Sequence, residues 1–186
     1  MLYAQIHLTL PAWVAQEVDS TTAYPDAKSQ MRLAIELARR NIEAGTGGPF
    51  GAAVFNAAGR LISVGVNRVT EQSCSLAHAE IMALMTAQTR LQSFRLNADG
   101  DRYTLATSAQ PCCQCYGASF WAGIDTLRIG ARAEDVHELT EFDEGPLPAD
   151  WIGELERRDI HVERDLLRAE ARQVLADYRA GGGPAY

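Results

Sequence analysis

Apolar residues recur along this chain with two different periods, and the two periods predict helices alternating with strands. Between residues 31 and 42 they fall three or four positions apart, as on one face of a helix, and Gly45 ends that helix. Two short apolar segments follow at 52–56 and 61–66, joined by a turn at Gly59. Because the connection is so short, we expect these two strands to be antiparallel.

The second half of the chain continues the alternation at longer intervals. The pattern predicts a helix over residues 75–91, a strand at 103–107, a helix opening in the cysteine-rich segment that follows, and a strand at 126–130. Two helical stretches come next, and then a short strand at 161–164 and a final helix at 166–178. Strands separated by helices are typical of parallel neighbours. The predicted fold class is therefore α/β, with a mixed central sheet covered by helices on both faces.

The two ends of the chain are less regular than its middle. Residues 2–10 alternate apolar and polar positions and predict a short strand, which leads into a Ser-, Thr- and Pro-rich loop at 20–25. The last residues, GGGPAY, have the composition of a flexible tail. We therefore expect one domain over residues 1–186, with an N-terminal extension at 1–26 and a flexible tail at 180–186.

Composition and charge narrow the classes of partner. The 186 residues include 24 acidic and 17 basic side chains, a formal net charge of −7. Nucleic-acid binding depends on Lys and Arg to neutralise phosphates, and the arginines here are scattered, so we expect no nucleic-acid partner. No segment approaches the ~20 apolar residues of a membrane span, so we expect no membrane partner. The N-terminus lacks the basic start and unbroken apolar run of an export signal, which predicts a cytoplasmic protein.

Three of the four cysteines lie in one short segment, TSAQPCCQCYGASFWAG. Cysteines in a reducing compartment more often bind metal or react than form disulfides. On a helix that begins near Pro111, Cys112 and Cys115 share a face, whereas Cys113 points about 100° away from Cys112. The positive end of the helix also favours thiolates. We predict that Cys112 and Cys115 act as a pair. Cys113 and Cys74 are predicted to be small apolar residues packed against the sheet.

A second motif lies upstream in LAHAEIMAL, where His78 and Glu80 fall at a predicted helix start. Because His78 and Glu80 are two positions apart on a helix, both can contact one ion only if that ion lies just beyond the end of the helix. H-x-E followed by P-C-x-x-C matches the signature of zinc deaminases. A tetrahedral zinc would take three ligands from this chain, one each from His78, Cys112 and Cys115. Its fourth position would be left for water, as in catalytic sites. We expect one Zn²⁺ per chain, with Glu80 as the general acid–base group.

These motifs, together with GGPFGAAVF, GVNRV, FWAGID and FDEGP, resemble the cytidine-deaminase-like superfamily, and within it the small zinc-dependent guanine deaminases of bacteria. The likeness covers the chain from about residue 31 to its C-terminus. It implies a three-layer α/β/α sandwich, in agreement with the elements predicted above, and a homodimer. It also implies hydrolytic deamination of a small-molecule purine base, guanine, to xanthine and ammonia.

The resemblance assigns roles to further residues. Asn67 would hydrogen-bond the purine, and Phe50 and Trp121 would lie against the flat base. Glu144 would meet the N–H and amino edge of guanine and carry protons for the leaving ammonia. Tyr186 would close the pocket, as a C-terminal aromatic that in some relatives reaches the neighbouring subunit. Taken alone, Asn67 also fits a turn, Phe50 and Trp121 fit core packing, Glu144 fits an acidic loop and Tyr186 fits a disordered end.

Other functions stay open on this evidence. The same zinc motif serves deaminases of cytosine or cytidine, of adenosine in tRNA, and of aminotriazines. Gln110 stands where relatives usually carry an acid, which changes the charge beside the metal loop and bears on the choice of substrate. A tRNA deaminase needs a basic face, which the charge of −7 disfavours, and a cytidine deaminase is not expected to carry FDEGP. Glu80 and the open ligand position disfavour a purely structural metal module, and a dithiol redox protein would not require His78.

Overall fold

A computed structural model describes residues 5–186. From residue 27 onward its helices and strands follow one another in the predicted order, whereas the short helix at Ala12–Glu17 was not predicted. The strands are β1 Gly51–Asn56, β2 Leu61–Val66, β3 Tyr103–Ala109, β4 Thr126–Ala131 and β5 His161–Glu163. The helices are α1 Ala12–Glu17, α2 Ala27–Glu43, α3 Ala79–Leu91, α4 Cys113–Ala122, α5 Ala133–Leu139, α6 Trp151–Glu156 and α7 Arg168–Ala180. A 3-10 turn at Leu96–Asp99 precedes β3. Within the described residues, no helix combines the length and the apolar character needed to cross a bilayer.

The five strands form one sheet in the order β2-β1-β3-β4-β5. Strand β1 is antiparallel to both of its neighbours, β2 and β3, whereas β3, β4 and β5 run parallel to one another. The short connection between β1 and β2 therefore gives the expected antiparallel pair, and the helical crossovers give the parallel ones. The predicted mixed sheet is confirmed.

Helices cover both faces of this sheet. In β1, Ala53 and Phe55 face the core beneath α2 and α7, while Ala52 and Val54 face the core beneath α3. Side chains that alternate between two buried faces explain why the strand is apolar at consecutive positions. Helices α1 and α5 lie with α2 and α7, and α4 and α6 lie with α3, which gives the predicted three layers.

The structure corrects two predicted boundaries. Residues 5–10 form no strand, and residues 2–4 of the predicted strand lie outside the described part of the chain. Instead, Thr9 exchanges hydrogen bonds with side chains, as its N–H donates to Gln72 Oε1 and its carbonyl accepts from Arg68. Helix α3 begins at Ala79 rather than near residue 75, because a turn closed by Ala77 N–H donating to the Cys74 carbonyl comes first.

Candidate active site

The two helices that carry the metal-binding motifs begin at the same edge of the sheet. Strands β2 and β3 are both antiparallel to β1, so they run in the same direction and end at one edge. A turn connects β2 to α3, and a much shorter link connects β3 to α4. The N-termini of α3 and α4 are thereby brought together, although their motifs are more than thirty residues apart in the chain.

Three side chains at these N-termini have the geometry of a zinc site. His78 is the N-cap of α3, Cys112 is the N-cap of α4, and Cys115 lies in the first turn of α4. The His78 Nδ1 atom lies 3.5 Å from Cys112 Sγ and 3.6 Å from Cys115 Sγ. Usual zinc–nitrogen and zinc–sulfur bond lengths at a tetrahedral angle require a separation of ~3.6 Å. The donor set and its spacing therefore fit zinc, and the predicted ligand trio is confirmed as a candidate metal site.

The proton balance of the two thiols also fits a cation. Hydrogen bonds from the Cys115 thiol and from His78 lower the pKa of Cys112 to about 4, despite its burial. The hydrogen bond to Cys112, together with burial and the charge of Glu80, raises the pKa of Cys115 above its usual range. Cys115 thus keeps its proton and donates it in a hydrogen bond to the Cys112 thiolate. A divalent cation between them removes the repulsion that keeps the second thiol protonated.

Cys113 does not pack against the sheet, so that part of the prediction is wrong. It is the first residue of α4 and its side chain is exposed. A Cβ atom on Gly145 would lie 2.7 Å from Cys113 Sγ, and the Cys113 N–H donates to the Glu144 carbonyl over 2.8 Å. The residue therefore contacts the loop that carries Glu144. Cys74 is half-buried in the turn before α3, where its N–H donates to the Val69 carbonyl and its carbonyl accepts from the Ala77 N–H.

Glu80 and Glu144 line one cavity together with the metal ligands His78 and Cys112, and Asp143 also contributes to its wall. Glu80 lies in the first turn of α3 and is 6% exposed, whereas Glu144 lies in the loop that follows α5. Burial and the neighbouring Cys112 thiolate raise the pKa of Glu80. Burial, with the charges of Cys112 and Glu80, raises the pKa of Glu144 to about 8. Both groups are therefore suited to holding a proton in this cavity.

Aromatic rings line the opposite side of the cavity. Phe50 and Phe142 meet edge to face with their ring centroids 5.2 Å apart, and Phe142 meets Tyr186 at 4.7 Å. The chain turns back after α7, and the Tyr186 hydroxyl lies directly over Gly48. A Cβ atom added to Gly48 would lie only 1.9 Å from that hydroxyl oxygen. Phe142 was not predicted as a site residue, although it belongs to the FDEGP motif. Phe50 and Tyr186, which the resemblance proposed as substrate-binding residues, both line this cavity.

Two amides complete the polar lining of the cavity. Asn67 is 1% exposed, and its Oδ1 accepts from the Val69 N–H over 3.2 Å. Gln110 is also buried, and its Oε1 accepts from the Ala133 N–H over 3.4 Å. The neutral residue that replaces the usual acid therefore lies in the cavity itself, next to the metal ligands.

Trp121 lies outside this cavity. It is 73% exposed and lines a surface groove with Met85 and Phe94, between α3 and α4. Helix α4 begins at the cavity, and eight residues at 1.5 Å each place Trp121 ~12 Å further along its axis. The structure therefore does not bring Trp121 against a base bound in its own chain.

Comparisons with known proteins agree with this geometry. The family model of the cytidine and deoxycytidylate deaminase zinc-binding region matches residues 25–131. The guanine deaminase of Bacillus subtilis is 36% identical over 108 residues, which are 58% of this chain and 66% of that protein. A tRNA-specific adenosine deaminase of Buchnera aphidicola is 30% identical over 119 residues, 64% of this chain and 72% of that one.

A solved structure of a guanine deaminase from Nitrosomonas europaea superposes with a TM-score of 0.91 at 42% identity, and covers 97% of this chain and 99% of its own. Another solved structure, a complex with 2,6-diaminopurine, has a TM-score of 0.91 at 44% identity and covers 97% and 95%. These matches confirm the predicted three-layer fold. The chain belongs to the family defined by the cytidine and deoxycytidylate deaminase zinc-binding region.

Proposed function

We propose that this protein is a zinc-dependent aminohydrolase that converts guanine and water to xanthine and ammonia. The observation that carries the proposal is the position of Glu144, which lines the same cavity as Glu80 and the metal-binding side chains of His78 and Cys112. The guanine deaminase from Nitrosomonas europaea, alike over nearly its whole length, supports the same substrate.

The metal side of the cavity would activate water. His78, Cys112 and Cys115 would hold zinc, which when bound supplies Lewis-acid activation of water near neutral pH. Glu80 would take one proton from the attacking water and deliver it to the ring nitrogen. It would then take the second proton, from the hydroxyl now on the attacked carbon, and deliver it to the amine, which leaves as ammonia while the carbonyl of xanthine forms. Its burial and its raised pKa suit a group that alternates between carboxylate and acid during one turnover.

Glu144 would select the base. Guanine presents its N1–H and its 2-amino group on one edge, and a carboxylate can accept hydrogen bonds from both. Cytosine and adenine lack an adjacent pair of N–H donors on the corresponding edge and would leave the carboxylate unpaired. Because an unpaired buried charge is costly, Glu144 would reject these bases as well as attract guanine. It is also placed to carry protons for the departing ammonia.

The remaining cavity residues would hold the flat ring. Phe50, Phe142 and Tyr186 supply aromatic surface, and Asn67 supplies an amide that can hydrogen-bond the purine. The solved relative that binds 2,6-diaminopurine supports a purine with an amino group at position 2. The tRNA-specific adenosine deaminase at 30% identity favours a second candidate, adenosine in tRNA, but the net charge of −7 argues against an RNA partner.

The oligomeric state and cellular setting belong to the same proposal. Leu76, Met85, Phe94 and Trp121 are large apolar side chains that are 45–86% exposed, and three of them line the groove between α3 and α4. Clustered apolar surface is typical of association sites, which supports a homodimer. We place this dimer in the cytoplasm, in purine breakdown. Sedimentation should give twice the chain mass of 20.3 kDa, and a monomer at micromolar concentration would contradict the dimer.

Ammonia release from a panel of bases tests the proposed activity. The zinc-loaded protein is assayed with guanine, guanosine, adenine, cytosine, cytidine, an aminotriazine and tRNA, and the product is identified by its absorbance spectrum. We expect guanine to react fastest, with xanthine as its product. Faster release from tRNA or from cytosine, with guanine inert, would assign the protein to a different branch of the deaminases.

A further inference from the structure

We propose that Asn41, a residue outside the cavity, is a positioning residue for purine binding, because its side chain fixes Asn67 and the 47–50 loop in place. The inference rests on the proposed function and adds a residue of this chain that no motif singled out. Asn41 lies near the end of α2, in the helical layer opposite to the one that carries the metal ligands, and its exposed fraction is 0%.

Every polar group of the Asn41 side chain has a partner. Its Nδ2 donates to the Gly48 carbonyl and to the Asn67 carbonyl, each over 2.9 Å. An atom that faces two carbonyl oxygens has to be the amide nitrogen, so the orientation of the amide is fixed by its surroundings. Its Oδ1 accepts from the Thr46 hydroxyl over 2.8 Å, and that hydroxyl oxygen accepts from Trp13 Nε1 over 3.0 Å.

The two carbonyl groups belong to the segments that form one wall of the cavity. The Gly48 carbonyl also accepts from the Phe50 N–H over 2.9 Å, and the Asn67 N–H donates to the Phe50 carbonyl over 3.1 Å. Phe50 and Asn67 are thereby paired with each other, and the Asn41 amide bonds to Asn67 directly and to Phe50 through the Gly48 carbonyl. The Tyr186 hydroxyl rests on Gly48, so the closing aromatic ring lies on this wall as well.

The 47–50 loop and the segment at Asn67 are packed too closely for an added side chain at Gly47. A Cβ atom on Gly47 would lie 1.9 Å from the Asn67 carbonyl oxygen and 2.8 Å from Asn41 Nδ2. Gly47 also has a φ of 151°, which side chains rarely adopt. An apolar residue in place of Asn41 could fill this space in α2. It would nevertheless leave the buried Asn67 carbonyl unpaired and the Gly48 carbonyl with the Phe50 N–H alone, and would loosen this wall of the cavity.

The predicted signature is a loss of substrate binding at full metal content. Asn41→Asp keeps the shape of the side chain but removes both donors and places a carboxylate against two carbonyl oxygens. We expect the KM for guanine to rise about tenfold or more, the effect of losing one buried hydrogen bond, with kcat changed less than about threefold and zinc content unchanged. Ile35→Val is the matched control, a buried change on α2 that leaves the network intact and should leave KM unaltered.

Hydrogen exchange of the zinc-loaded proteins supplies a readout that needs no substrate. If Asn41 positions the wall, exchange in Asn41→Asp rises at residues 45–50 and 67–69 and stays near the wild-type rate in α3 and α4. A merely structural role would instead raise exchange throughout the chain together with a lower Tm. That pattern, or an unchanged KM, overturns the inference.

A second pair of variants tests the same network if Asn41→Asp does not fold. Thr46→Val removes the hydroxyl that orients the amide and keeps the volume, whereas Thr46→Ser keeps the hydroxyl. We expect Thr46→Val to raise the KM several-fold and Thr46→Ser to restore it; equal KM values in both overturn the inference. A wild-type protein inert on guanine would sink the proposed function alone, because the localised exchange in the variants would still report on the wall.

Discussion

The two sides of the cavity are built in different ways. The metal side consists of His78, Cys112 and Cys115 at the N-termini of two helices, one of which begins shortly after β3 and the other after the 67–78 segment that follows β2. The substrate side consists of the 45–50 loop, the loop that carries Glu144, and the end of the chain. Regular elements thus hold the reaction chemistry, and loops hold the surface that selects the base. Substrate choice can therefore change within such a fold while the metal site is kept.

The largest effect should come from removing a metal ligand. Cys112→Ser and Cys115→Ser should lose zinc and all activity, because each removes one of three protein ligands. Cys113→Ser should keep one zinc per chain, since its side chain faces Gly145 and the solvent. Metal analysis of the purified variants checks this. A zinc-free Cys113→Ser protein would contradict the assignment of the pair.

The next largest effect should come from Glu80. Glu80→Gln keeps the size of the side chain but cannot move protons, so turnover should fall by at least ~10²-fold at normal zinc content. Steady-state ammonia release, with zinc measured on the same preparation, checks the prediction. Near-normal turnover in this variant would rule out the proton transfers assigned to Glu80.

A smaller effect is expected where the substrate side meets the metal side. Gly145 has a φ of 67°, and an added Cβ atom would lie 2.7 Å from Cys113 Sγ. Gly145→Ala should therefore shift the Glu144 main chain and lower guanine turnover roughly tenfold, given a strain of about 1–2 kcal/mol, with zinc retained. Adding Cys113→Ala should restore part of the activity by opening space. No recovery in the double variant would mean that this contact does not position Glu144.

The smallest effect on turnover, with a clear effect on stability, is expected at Asp135 in α5. Its carboxylate is 1% exposed and accepts from Arg168 over 2.7 Å and from Arg172, which fixes α5, and hence the start of the Glu144 loop, to α7. Burial alone would raise its pKa, but the hydrogen bonds from Arg168, the Arg132 N–H and Arg172 lower it from 3.8 to about 2.

A depressed carboxylate pKa stabilises the folded state above the unfolded pKa, and this contribution is lost as the pH falls from about 4 towards 2. The shift corresponds to about 2 kcal/mol. Asp135→Asn should therefore lower the free energy of unfolding by that order at pH 6, and the difference from wild type should shrink below pH 4. Because both proteins hold the same metal site, its own acid sensitivity cancels in the difference. A difference that is constant with pH would contradict the ion-pair account.

The sequence predicted the metal side well because its signals are short. His78 and Glu80 are two positions apart, Cys112 and Cys115 are three apart, and each pair lies at a helix start that periodicity locates to within a few residues. The prediction that the Cys113 side chain points away from Cys112 and Cys115 was correct. The predicted packing of Cys113 against the sheet was wrong, because its surroundings depend on a loop about thirty residues further along the chain.

The substrate side depends on contacts that spacing does not encode. Asn41 reaches Asn67 across 26 residues, and Phe142 meets Tyr186 only after the chain has crossed β5 and α7. The resemblance assigned Trp121 to the purine base, although its position along α4 places it far from the cavity. The alternating pattern at the N-terminus predicted a strand, but residues 5–10 form none, and the backbone of Thr9 bonds to the side chains of Arg68 and Gln72 instead.

Glu144 offers the most direct test that the two sides are separate and that the substrate side selects guanine. The measurement is steady-state ammonia release from guanine by Glu144→Gln, with zinc content determined on the same sample. The account predicts one zinc per chain and a guanine turnover lower by ~10²-fold, because the amide can accept only one of the two donors on the guanine edge. Wild-type turnover at full zinc content would make Glu144 an ordinary loop residue and would contradict the assignment of guanine selection to this side of the cavity.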